Sequence, residues 1–85
     1  MPIRVFCLTF TDAARMKLGA RGISTTEAEQ VRRNRHRIRP NPAGRSRKGS
    51  RVRMIGQTNG GRRLTLVLEP TLDPTTWLTV TGWEN

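Results

Sequence analysis

Arg51, Arg53 and Arg63 fall on one parity in the stretch GSRVRMIGQTNGGRRLTLVLEP, residues 49–70. Arginines spaced by two present a row of guanidinium forks from one face of a strand, and each planar, permanently charged fork matches two oxygens of a phosphate. The rest of the chain adds to this charge unevenly. Sixteen Lys and Arg stand against six Asp and Glu, a net charge of +10 with a pI near 11.9. Twelve of the sixteen lie between Arg32 and Arg63, where no acid occurs, and all but Lys17 and Lys48 are Arg. What remains, four bases (Arg4, Arg15, Lys17, Arg21) against all six acids, sits at −2. Such asymmetry is the electrostatic footprint of a nucleic acid or another polyanion. The plainer alternative is a solvated surface written in Arg by codon usage, with no ligand.

Other chemistries find few residues to work with. No Gly-rich phosphate loop, HExxH or Cys/His cluster occurs, and Asp12, Asp73 and the four Glu residues show no metal-ligand spacing, so no metal or cofactor is expected. Cys7 is the sole cysteine. It excludes an internal disulfide, fits a reducing cytoplasm, and reads as an inert thiol in a buried strand. The longest apolar runs, Val5–Leu8 and Leu66–Leu68, are too short for a membrane span.

The elements that must position the arginines follow from periodicity. Val52, Met54, Gly56 and Leu64, Leu66, Leu68 alternate with polar residues around Asn59-Gly60-Gly61, the pattern of a β-hairpin with one buried face. A two-residue loop would put Arg53 opposite Leu66, charge against the apolar face. A three-residue loop with Gly61 left-handed pairs Val52 with Leu68 and Met54 with Leu66. Arg51, Arg53, Gln57 and Arg63 then share the front, and Glu69 lies across from Arg51.

Ile3–Thr9 reads as a strand. Thr11 or Asp12 caps a helix to about Arg21, with Ala13, Met16 and Ala20 on one face and Ala14 and Leu18 beside them; Gly22 ends it. Ser24 and Glu27 form a capping box for a second helix to about Arg33, whose short apolar face is Ala28 and Val31. Residues 35–50 hold Pro40, Pro42, Gly44 and Gly49 and read as a flexible basic loop, either an idle linker or an arm that orders on a polyanion. Of its cations, Arg35, Arg37, Arg45, Arg47 and Lys48 are the candidate nucleic-acid contacts. Trp77–Trp83 is a last strand, with Leu78, Val80 and Gly82 towards the helices and Trp77, Thr79, Thr81 and Trp83 in front. There the tryptophans stack bases or, equally, pack against a protein. With 85 residues, 34% hydrophobic, this is one domain (1–85) of modest stability, for which a bound partner is plausible. The expected fold is α+β: an N-terminal strand, two helices, then a three-stranded antiparallel meander.

The succession TDAARMKLGARGISTTEAEQV, RVRMIGQTNGGRRLTLVLEP and WLTVTGW resembles the small bacterial domains found beside BrnT-type toxins, and through them the RelE/ParE-like toxins. Its most specific pieces are Arg15-Met16 through Arg21-Gly22-Ile23, Gly56, and Gly61-Arg62-Arg63-Leu64. Relatives carry a His near the start of the first helix, where this chain has Ala13. The resemblance implies an endoribonuclease, acting on free or ribosome-bound RNA and neutralised by a small antitoxin protein. Its open sheet face would hold RNA through Arg51, Arg53 and Arg63, with Arg62 and the loop cations as secondary contacts. The implied reaction is metal-independent attack of a ribose 2′-hydroxyl on its own phosphate, with cations stabilising the charge that develops. Arginine cannot be the general base. Glu69 and His36, the only imidazole in a chain without Tyr, are the candidates. A non-catalytic RNA- or DNA-binding module is the second reading.

Overall fold

The computed structural model describes residues 3–46 and 49–85, with the backbone alone for 42–46. The elements run β1 (Cys7–Phe10), α1 (Asp12–Ala20), α2 (Thr25–Arg33), β2 (His36–Ser46), β3 (Gly49–Gln57), β4 (Arg63–Pro70) and β5 (Thr76–Glu84). The five strands make one α+β sheet in the order β1-β5-β4-β3-β2, with β1 parallel to β5 and the other pairs antiparallel.

The hairpin forms in the expected register, Val52 opposite Leu68 and Met54 opposite Leu66. Thr58 N–H donates to the Arg62 carbonyl at 2.9 Å, closing a loop of Asn59, Gly60 and Gly61 in which Gly61 has φ 87°. That left-handed conformation carries no Cβ penalty at glycine. Both helices cover the face bearing Met54, Leu64, Leu66 and Leu68. They come close because two strand positions have no side chain. A Cβ on Gly82 would stand 3.1 Å from Leu18 Cδ2, and one on Gly56 would stand 3.1 Å from Val31 Cγ1.

The helix starts behave as their residues dictate. Thr11 caps α1 by accepting from Ala14 N–H, and Ser24 and Glu27 complete a reciprocal capping box on α2. On α2, Ala28 and Val31 are buried as expected. On α1 the buried pair is Ala14 and Leu18, one helical turn apart, whereas Met16 is 76% exposed. Two residues on from Ala14 is about 200° around the helix, which turns Met16 to solvent.

Three expectations need correction. Residues 36–46, expected to be loop, form an eleven-residue strand. An edge strand accommodates Pro40 and Pro42, because the proline side of an edge needs no N–H. Ile38 supplies its inward anchor opposite Met54. The meander of β3, β4 and β5 is therefore flanked by two further strands. Arg47 and Lys48 lie outside the described residues.

The second correction concerns β5. Leu68 pairs with Thr79 and Val67 with Thr81, so Val80 is an extra residue, a β-bulge. The bulge reverses the facing of the strand's first half. Trp77 and Thr79 turn towards the helices and are 7% and 0% exposed, while Leu78 joins the front. Gly82 and Trp83 stay where alternation places them. The phase follows from the bulge: it sets the indole beside Leu8 of β1 and leaves the Trp77 Nε1 and the Thr79 hydroxyl buried without a partner among the described residues.

The third concerns β1, shorter than expected. Its Cys7 is exposed rather than buried, because the register with β5 puts Leu8 and Phe10 on the helix side and Cys7 on the other. Among the described residues, no helix is long and apolar enough to cross a membrane.

Candidate nucleic-acid interface

The face of the sheet away from the helices is built row by row from the register. Arg39 of β2 stands opposite Arg53 of β3, which stands opposite Val67 of β4 and, beyond it, Thr81 of β5. The neighbouring row reads Arg37, Ile55, Thr65 and Trp83. Gln57 pairs with Arg63 at the hairpin end. Charge is thus concentrated over β2 and β3 and at Arg63 on β4, and the partly exposed apolar and aromatic side chains, Leu78 and Trp83, over β5.

The protein's own carboxylates separate the arginines into two groups. Arg51 Nη2 lies 3.2 Å from Glu69 Oε1 on this face, and Arg32 is bound by Glu29. The guanidinium groups of Arg37, Arg39, Arg53 and Arg63 make no hydrogen bond or ion pair with any described residue. For Arg53 this extends to an Nε that is buried without an acceptor. Val67 beneath it is 4% exposed although no helix lies on this side. Together with Asn34 and Arg35, Arg37, Arg39, Gln57 and Arg63 line a groove of about 920 Å³ at the hairpin end of the face.

Several expected site residues lie elsewhere. Arg62 turns to the helix side, where Nη1 donates to Glu27 at 2.7 Å and to the Gly22 carbonyl at 2.9 Å, and Nη2 donates to Glu84 at 2.9 Å. It clasps α2 to the ends of β4 and β5. The Arg62 guanidinium, followed by the Ser24 N–H, holds the Glu27 carboxyl below its ordinary range. Trp77 belongs to the core and has no access to the open face. His36 borders the groove, but its ring packs on the helix side: His36 sits opposite Gly56, and Nδ1 lies 3.0 Å from the Asn34 carbonyl and 3.2 Å from that of Val31. Either carbonyl can accept from Nδ1 when that nitrogen carries a hydrogen. For Arg45 the backbone alone is described.

Comparison with protein-family models, curated proteins and solved structures finds no match. What the site can do therefore rests on its own geometry. Four unpaired guanidinium groups on a fixed sheet can bind phosphate oxygens at positions set by the strands. Glu69 is the one carboxylate among the described residues of that face, and Arg51 holds it. Among the described residues, no three His, Cys, Asp or Glu side chains gather as a metal site. Residue patterns alone missed Arg39, because the loop reading hid the alternation of Arg35, Arg37 and Arg39 with His36, Ile38 and Pro40.

Proposed function

We propose that this chain binds RNA across the cationic half of its open sheet face, as the RelE/BrnT-like resemblance of its sequence implies. One observation carries the reading: Arg39 and Arg53 are direct cross-strand neighbours with no carboxylate between them. Like charges placed opposite each other destabilise a sheet, and a polyanion that bridges them removes the cost. A cytoplasmic antitoxin of acidic character would meet the same face and compete with RNA for it.

Cleavage is the second reading, favoured by Glu69 standing on that face beside Arg51. Glu69 would take the proton of a ribose 2′-hydroxyl as its oxygen bonds to the adjacent phosphorus and the bond to the 5′-oxygen breaks, giving a 2′,3′-cyclic phosphate and a 5′-hydroxyl that takes its proton from water, while the neighbouring guanidinium groups stabilise the charge gathering on the phosphoryl oxygens. Purified protein is incubated in EDTA with an RNA oligonucleotide and its singly 2′-deoxy counterpart, with ribosomes added in a parallel set. Binding of both with cutting of the RNA alone supports an endoribonuclease toxin. Binding without cutting in either set supports a non-catalytic module, and failure to bind either oligonucleotide rejects the whole proposal.

A further inference from the structure

We infer that the apolar half of the open face is a base-stacking platform centred on Trp83, which makes the preferred ligand single-stranded. This rests on the nucleic-acid reading of the cationic half and adds the part of the ligand that phosphate contacts do not define. Trp83 is partly exposed and lies in the same cross-strand row as Thr65, Ile55 and Arg37. Neighbouring strands are about 4.8 Å apart, so the row places the indole some 14 Å from Arg37, the span of a short run of nucleotides.

Three features favour a base over a protein side chain or bare solvent. Ile55, between the cation and the indole, and Leu78 of β5 offer partly exposed uncharged surface, while Thr65 and Val67 are buried beneath it, the Thr65 hydroxyl donating to Asn85 Oδ1 at 2.8 Å. The unpaired guanidinium groups stop at β3 and β4, so a ligand held by them directs its remaining parts over β5. Stacking on an aromatic ring needs an unpaired base, whereas phosphate contacts alone do not distinguish one strand from two.

The chain contains its own reporter. Only two tryptophans are present, and the bulge in β5 buries Trp77 while leaving Trp83 on the open face. Quenching of the exposed component of the fluorescence therefore reports contact at Trp83. The protein is titrated with single-stranded oligoadenylate, with the same strand paired to oligouridylate, and with base-free inorganic polyphosphate. We expect all three to bind at low salt and only the single strand to quench. Trp83→Leu should weaken the single strand roughly five- to a hundredfold while leaving polyphosphate unchanged, and Trp83→Phe should keep most of the affinity without the signal.

Equal quenching by polyphosphate or by the duplex would overturn the platform, as would Trp83→Leu binding the single strand like the parent protein. If Trp83→Leu does not fold, the Phe variant and the three-ligand comparison on the parent protein decide. Absence of binding to all three ligands would remove the nucleic-acid reading itself, an outcome distinct from binding without quenching.

Discussion

Arg39 and Arg62 show how differently two arginines of one small protein can be used. Arg62 is held by two carboxylates and a carbonyl, and its variant Arg62→Ala should lower the melting temperature with little change in RNA affinity. Arg39 does the reverse. It faces Arg53, and relieving a like-charge cross-strand pair is worth about 0.2–1 kcal/mol, so Arg39→Gln should raise the melting temperature slightly at low ionic strength while weakening RNA binding. A lower melting temperature in that variant would mean that the pair is not strained. Acid sensitivity belongs to the same scale. The Glu27 carboxyl titrates lower in the folded chain than in the unfolded one, through Arg62 first and Ser24 second. Its contribution is therefore present above the unfolded value, about 4.3, and is lost as pH falls through the folded value. Melting temperature measured down through that window should decline, and Glu27→Gln should flatten the decline.

Among the elements, β5 is fixed most tightly. A Cβ on Gly82 would stand 2.7 Å from Leu66 Cδ2 and 2.9 Å from the Thr65 carbonyl oxygen, so Gly82→Ala should cost about 1–3 kcal/mol in denaturant unfolding. Gly19 of α1 has open space around it, and Gly19→Ala should gain roughly 0.5–1 kcal/mol. These strand and helix positions also show what a linear sequence discloses. The hairpin register was legible because only one pairing keeps Arg53 off the apolar face, and both helix starts were legible in their caps. β2 was not, since its prolines are breakers in isolation and become harmless only once the strand is known to lie at an edge. The phase of β5 was hidden for another reason. WLTVTGW alternates cleanly, and nothing in that alternation marks the extra residue at Val80 that turns Trp77 to the side facing Leu8 of β1, a contact between strands far apart in sequence. Within the site, Arg51, Arg53, Arg63 and Glu69 were readable from hairpin parity. Trp77 and Trp83 have the same parity and could not be told apart.

For the molecule as a whole, the long-range field and the local face should be separable by salt. The four unpaired arginines of the open face, Arg37, Arg39, Arg53 and Arg63, correspond to about four neutralised phosphates, Arg51 being held by Glu69, and log affinity for single-stranded RNA should fall against log salt with a slope of about −2.8. A slope close to zero in a binding titration would show that the face is not the interface. The same net charge of +10 repels itself across a small body, so sulfate or phosphate should raise the melting temperature more than equal ionic strength of chloride.

The strand order also sets a timetable for synthesis. Of the described elements β5 is the last to be made, yet it sits between β1, the first of them, and β4. Until residues 76–84 leave the ribosome, β1 has no neighbour in the sheet and α1 has no strand beneath it. The N-terminal third of the chain must wait, with Leu8, Phe10 and Leu18 uncovered, for a partner nearly the whole length of the chain away. Such distant closure is slow compared with local pairing. A nascent chain stalled before Thr76 should thus be open to protease throughout its first helix, and release of β5 should protect that helix and the hairpin in one step.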